Sequence, residues 1–284
     1  MFGRKIRKII ILGCGPAGIF AAHAAATAGK DFQIFSNRRR SEMYGAQYLH
    51  APIPGLSLSP ATDIRYTLTG TPEQYANKVY GQEDRPEFVS PESLAGHHLA
   101  YDIREAYYNG WKIYNDRITH MPRISHSDLR ANQSSRSNPL RDAIADTKSC
   151  QVISTIPRTV MCYNQAHSFK ARKIWAAGEA PERGIFLDDF TIAGNTVNCN
   201  GLSSPSWYRA SNVFGYKTIE WPNMERQPPY DNVVEVEKVV GTNCNCWASE
   251  DWIWFAGRNG TWSKSVFAHQ AFHYPFHVMS TRFM

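Results

Sequence analysis

Six residues near the start of the chain, Gly13-Cys14-Gly15-Pro16-Ala17-Gly18, have the G-x-G-x-x-G pattern. The chemistry such a run serves is anion binding by backbone. Its first glycine makes a tight turn, its second lets the main chain approach a pyrophosphate, and its third lets a helix pack closely on a strand. Gly13, Gly15 and Gly18 take these parts, with Pro16 and Ala17 between them where phosphate would meet the start of a helix. The first N–H groups of a helix have no partner within it and carry partial positive charge, so they attract phosphate oxygens. The run is informative only if a strand precedes it and a helix follows.

That context is present. Lys8 to Leu12 is a short β-branched strand, Ile19 to Ala28 (IFAAHAAATA) reads as a helix, and Gly29 can end it with a positive φ. Asp31 to Phe35 is a second strand, which completes a dinucleotide-binding βαβ unit. Ala21, Ala22, Ala25 and Ala26 favour close approach of helix to sheet. One position departs from the pattern. The second strand normally ends in an Asp or Glu that takes the ribose hydroxyls, and here Ser36 stands there, followed by Asn37 and Arg38-Arg39-Arg40. Serine with arginine suits a ribose 2′-phosphate, as in NADP. Ser36 or Asn37 can equally hydrogen-bond an unphosphorylated ribose, with Arg38 over adenine or facing the pyrophosphate. The motif therefore specifies a dinucleotide and leaves its identity open.

The 284 residues are enough for one large domain or two modest ones. The formal charge of +6 attracts anions, among them nucleotides and nucleic acid, without choosing between them. Mean hydropathy is −0.43, and no stretch approaches the roughly 18 apolar residues of a membrane helix. The IIIL run that follows the basic start reads as a buried strand and not as an export signal, so a cytoplasmic protein with no membrane partner is expected. Six cysteines are present. The Cys244-Asn-Cys246 spacing is not C-x₂-C, no second pair lies near it in sequence, and H-E-x-x-H is absent, so the cysteines are expected to be buried and free, with no metal centre.

Further along, Glu42 to Leu56 is a loop shaped by Gly45, Pro52, Pro54 and Gly55, and it carries Tyr44, Gln47, Tyr48 and His50. Pro72 to Tyr80 begins as a helix, and Pro91 to Trp111 reads as a longer one. Residues 120–143 are polar and read as a loop. Strands are expected at Cys150–Ile156, Lys173–Ala177, Thr196–Cys199, Val213–Trp221, Val233–Val240 and Trp252–Gly257. A last helix is expected from Lys264, ended or kinked at Pro275.

Three segments together resemble the FAD-binding superfamily of amine oxidases, carotenoid desaturases and UDP-galactopyranose mutase: ILGCGPAG at the start, VISTIP at 152–157, and WFAGRNGTWSKSVFAHQAF at 254–272. The whole chain also looks like small flavoproteins of actinobacteria and their phages, some of which act in DNA base hypermodification. The resemblance implies FAD as cofactor. It places Gly257 and Arg258 near the pyrophosphate and ribityl chain, Trp262 beside the ring, and Ser265, His269, Gln270 and Ala271 near the flavin at the start of the closing helix. His269 would then be the proton-handling group, with His50 and Tyr48 of the shaped loop as alternatives, and Tyr44 and Gln47 are expected flavin contacts because that loop leaves the second strand near the cofactor.

The implied fold is α/β: a Rossmann-like, glutathione-reductase-type FAD-binding domain with a smaller, discontinuous α+β substrate domain. Residues 1–60, 145–160 and 249–284 would form the first, with 61–144 and the strand-rich 161–248 serving the substrate. The expected function is a flavin-dependent oxidoreductase taking hydride from a substrate C–H, such as one beside an amine. Alternatives are an NADPH-binding reductase, a non-redox flavin enzyme (mutase or lyase) acting on a nucleotide, sugar or modified DNA base, and a non-enzymatic nucleotide-binding accessory protein. DNA as a partner and a homo-oligomeric state both stay open.

Overall fold

The computed structural model describes residues 8–37, 43–44, 47–81, 93–129, 138–145, 150–178, 192–223, 228, 230 and 233–281. Strand β1 (Lys8–Leu12) leads through the glycine run into helix α1 (Pro16–Thr27) and strand β2 (Asp31–Ser36). β1 pairs in parallel with β2 on one side and with Cys150–Ser154 on the other, register Leu12↔Phe35 and Leu12↔Ser154. Strands buried on both faces need continuous apolar runs, and Ile9 to Leu12 and Val152 to Ile153 are fully buried.

Two sheets organise the chain. With β3 (Thr62–Thr69), β4 (Gly96–Ala100), β5 (Ile118–His120), β6 (Cys150–Ser154), β7 (Phe169–Gly178), β8 (Thr196–Asn200), β9 (Arg209–Val213), β10 (Tyr216–Trp221), β11 (Val233–Thr242) and β12 (Ile253–Phe255), the first has order β12-β6-β1-β2-β5 and the second β11-β7-β10-β9-β8-β3-β4. The first is wholly parallel. The second is antiparallel except for the β3–β8 pair. Helices α1, α3 (Ile103–Tyr114) and α7 (Gln270–Thr281) share one core with the parallel sheet through Phe20, Tyr107 and Phe272. A second core, with Leu140 of α4 (Pro139–Ile144), Met161 of α5 (Arg158–Met161) and Trp247, includes Ile10, Leu12 and Val152. Helix α2 (Pro72–Tyr80), held by a Thr71–Gln74 capping box, packs Tyr75 and Val79 on the seven-stranded sheet.

Several elements differ from expectation. Pro91–Trp111 is not one helix: β4 occupies Gly96–Ala100, and Asp102 caps α3 by accepting from the Arg104 N–H. Val213–Trp221 is not one strand, because Phe214 and Gly215 take φ of 55° and 81° and turn β9 back into β10. Paired positive φ values are what a tight hairpin turn needs. The last helix starts at Gln270, not Lys264, and runs through Pro275. A proline that early removes a single backbone bond, the one to Ala271. The polar stretch 120–143 contains the end of β5, a 3-10 turn at His126–Leu129 and α4, capped by Asn138. Residues 61–144 divide between the sheets: β3, α2 and β4 go with the larger, α3 and β5 with the parallel one. Among the described residues no helix is long and apolar enough to cross a membrane.

Candidate functional site

The parallel sheet changes direction between β1 and β6: connections from β1 run outward to β2 and β5, while β6 and β12 lie on its other side. Ligands of open α/β sheets sit outside the carboxyl ends of the strands at such a point. There the glycine run is closely fitted. Gly13 has φ +100°, its N–H donates to Phe35 O at 2.8 Å, and a Cβ on it would stand 2.7 Å from Thr155 Oγ1. A Cβ on Gly18 would stand 2.0 Å from Gly13 O, so only glycine lets α1 start this close to the turn. Thr155 Oγ1 donates to Leu12 O at 2.7 Å and the Tyr107 hydroxyl to Cys14 O at 3.0 Å, which fix the loop from both sides. Gly15 is the N-cap of α1 with no side chain to cover the helix end, Pro16 lies in the first turn, and no acidic residue is there to repel an anion.

The C-terminal motif arrives at the same place. Ala256 N–H donates to Ser154 O at 3.0 Å, and Gly257, with φ +70°, lies so close that a Cβ on it would stand 2.5 Å from Ala17 Cβ. Gly260 approaches Ser154 O as tightly, at 2.4 Å from an ideal Cβ. Segments more than 230 positions apart in the sequence therefore build one cradle of backbone without side chains. A dinucleotide's phosphates require such a surface.

Arg258 leads from the cradle into a chamber of rings. His50 lies 5.0 Å from the Tyr48 ring, 4.6 Å from Phe267 and 6.1 Å from His269, measured between centroids, and Phe267 stacks on His269 at 5.8 Å. The Arg258 guanidinium stands 5.9 Å from the Phe267 ring. Strands β3 and β4 supply Tyr66, whose hydroxyl is 3.0 Å from that of Tyr48, and His98, 4.9 Å from the Tyr66 ring. Burial pushes the His50 imidazole below its ordinary pKa, and the nearby His98 and Arg258 add to this. Burial, with His50 and His273, pushes His269 down to about 4. Burial likewise raises Tyr48 and Tyr66 above the usual phenol range. Two imidazole nitrogens, His269 Nδ1 and His98 Nε2, are buried with no hydrogen-bond partner among the described residues. Buried polar atoms are normally satisfied, and a polar ligand here would satisfy these two, which are among eight such side-chain atoms in the described residues.

Behind the chamber the larger sheet buries an ion network. Glu220 pairs with Arg209 and, at 3.2 Å, with Lys238. Burial alone would raise the Glu220 carboxyl, but the two cations reverse this and hold it at about 2. Arg209's charge also adds to burial in depressing Arg258.

The structure thus brings His50, Tyr48 and His269 together and joins Gly257 and Arg258 to the glycine run. Other expected contacts are engaged within the protein. Trp262 is buried, with its indole N–H donating to Lys170 O at 3.1 Å and its ring edge-on to Phe169. Gln47 donates to Tyr44 O at 2.6 Å, and a Cβ on Gly178 of β7 would stand 3.4 Å from the Tyr44 ring. Gln270 caps α7 by accepting the Phe267 N–H at 2.7 Å, and Ala271 is fully buried in the core shared with α1. Ser265 pairs with Ser263 at 2.8 Å. Ser36 is buried, with its carbonyl accepting from Met121 N–H at 2.9 Å, while Asn37 is exposed and Arg38 lies outside the described residues.

Three features were missed. Tyr66 belongs to a strand that its mixed pattern did not signal. His98 lies in the Pro91–Trp111 stretch that was expected to be helical and is carried instead by β4. Against the expectation of no metal centre, Cys162, His167, Cys244 and Cys246 converge, their ligand atoms all within 4.8 Å of one another. The signal available was the C-x-C pair itself, read too strictly against C-x₂-C.

No protein-family model and no curated protein sequence matches the chain. Its fold is similar to that of the tetracycline destructase Tet(51), with TM-score 0.53 and 9% identity over 98% of this chain and 82% of that one. It is similar to 2,6-dihydroxypyridine-3-hydroxylase from Arthrobacter nicotinovorans, with TM-score 0.51 and 10% identity over 98% and 84%. It is also similar to CtdE, solved with FAD and a substrate, with TM-score 0.52 and 11% identity over 96% and 80%. At such identities the likeness is one of fold alone, an α/β fold with one parallel and one mixed sheet. The amine-oxidase group of the sequence resemblance is not among the names of these three structures.

Proposed function

We propose that this chain is an FAD-dependent oxidoreductase acting on a small ring-bearing molecule held between the cradle and the seven-stranded sheet. The observation that carries the reading is the closure of Gly257 onto Ala17, which unites the two glycine motifs at the switch point of the parallel sheet. The fold likeness supports it, since CtdE was solved with FAD and the names of the other two similar structures refer to ring compounds, a tetracycline and a dihydroxypyridine.

FAD, when bound, supplies the redox chemistry. Gly13, Gly15, Pro16, Ala17 and Gly18 would hold its phosphates by backbone, Gly257 and Arg258 would close over them, and Ser36 with Asn37 would serve the ribose. Tyr48, Tyr66 and Phe267 supply the aromatic walls of the chamber. His269 is neutral near pH 7, so its Nδ1 accepts or donates one hydrogen bond without bringing charge. It therefore orients a polar ring substituent and does not store a proton. His50 is the better placed of the two to take one up, standing between Tyr48 and His269.

The test is the visible spectrum of the purified protein, with any released cofactor identified by mass. Bound FAD supports the reading. Substrate oxidation is then assayed in two forms, loss of hydride from a C–H such as that of an amine, and hydroxylation of an aromatic ring. A colourless protein that refuses added FAD and binds NADPH overturns it.

A further inference from the structure

The four converging ligands come from the two places where the chain passes between the sheets. Cys162 directly follows α5 on the way out of the parallel sheet, and His167 immediately precedes β7 of the larger one. Cys244 and Cys246 follow β11 on the way back to β12. Both passages therefore meet at one point.

The spacing is that of a single tetrahedral ion. Zinc binds sulfur at about 2.3 Å and imidazole nitrogen at about 2.0–2.1 Å, which sets neighbouring sulfurs about 3.8 Å apart and sulfur from nitrogen about 3.5 Å apart. Cys162 Sγ and Cys246 Sγ are 3.7 Å apart, and His167 Nδ1 is 3.4 Å from each. A disulfide would need sulfurs at about 2.05 Å. None of the six cysteines is bridged.

The surrounding backbone holds these donors in place. Arg158 donates to Cys246 O at 2.5 Å and the Trp247 indole to Met161 O at 2.7 Å, tying the returning passage to α5. Thr242 Oγ1 donates to Ser168 O at 2.6 Å and accepts from Cys244 N–H at 3.0 Å, while Ser168 N–H donates to Asn243 Oδ1 at 2.8 Å.

We propose that Cys162, His167, Cys244 and Cys246 bind one zinc ion as a closed Cys₃His site that clamps the two passages between the sheets. Three thiolates and one imidazole in tetrahedral array select zinc among common divalent ions. Four protein ligands leave no open position, so the ion is structural. The inference is independent of the flavin reading, since the ligands lie outside the cradle and the ring chamber.

The test is the metal content of untagged protein purified without added metal, by inductively coupled plasma mass spectrometry. One zinc per chain is expected. His167→Ala and Cys246→Ser should lose it, His167→Cys should keep it as a Cys₄ site, and Cys199→Ser, a buried cysteine of β8 outside the cluster, should keep it. If the losing variants do not fold, cobalt exchanged into the wild-type protein provides the second readout. Thiolate-to-cobalt charge transfer with tetrahedral d–d bands is then expected. Metal-free protein with all thiols reactive, a Cys162–Cys246 disulfide, or cobalt without thiolate bands would each overturn the proposal.

Discussion

A single methyl group tests the cradle. Gly18→Ala places a Cβ 2.0 Å from Gly13 O, a backbone atom that cannot swing away, and the variant should lose bound cofactor and about 1–3 kcal/mol of stability. Gly29→Ala has open space around it and a φ of +65°, so it should cost about 1–2 kcal/mol of backbone strain and retain the cofactor. Absorbance of the purified variants, beside urea denaturation, separates the two. His269 gives a pH signature. Its folded pKa of about 4 lies below the ordinary histidine value of 6.5, so between those values the unfolded chain binds more protons. Stability should therefore fall as pH drops from 6.5 towards 4, and His269→Phe should flatten that slope in urea midpoints measured across the range. Glu220→Gln leaves Arg209 and Lys238 without their counter-charge and should cost about 3–5 kcal/mol in chemical denaturation. At this scale the glycines were legible because their type alone states a backbone requirement. His98 was not, because adjacent histidines reveal a face only once the strand that carries them is known.

Elements were legible where a single force decided them. β1, β6 and α1 are set by unbroken burial, and α2 by its proline and capping box, so their patterns read directly. β3 and β5 are set by pairing, Arg65 against Thr196 and Ile34 against Ile118, and such partners are invisible to local periodicity. The hairpin between β9 and β10 was hidden because Phe214, not glycine or asparagine, takes its first positive φ. The shaped loop is fixed by helices that no local pattern connects with it. His23 of α1 reaches Pro54 O and the Tyr114 hydroxyl at 2.7 Å each, and His273 of α7 reaches Pro52 O at 3.1 Å. His23→Ala should destabilise by about 1–3 kcal/mol and open residues 50–57 to limited proteolysis, with His273→Ala milder because it removes one bond.

At the scale of the molecule, the relation of the two sheets decides what the site can do. Arg104 of α3 is buried with its guanidinium 4.1 Å over the Tyr216 ring of β10 and 3.3 Å from Met43 O, so one cation joins helix, loop and sheet. The cysteine cluster clamps the same two sheets where the chain crosses between them. Chelation should therefore lower the melting temperature by several degrees, a change that differential scanning fluorimetry would show in wild type and not in His167→Ala.

The meeting of Gly257 with Ala17 also has a consequence for biosynthesis. Residues 13–18 leave the ribosome long before residues 253–257 are made, and until β12 arrives β6 is the outer strand of the parallel sheet, with its hydrogen-bonding edge bare. The nascent chain must hold that edge away from its neighbours through most of translation. Closure of the cradle is consequently a late event, completed only when β12 pairs with β6 and brings Gly257 to Ala17.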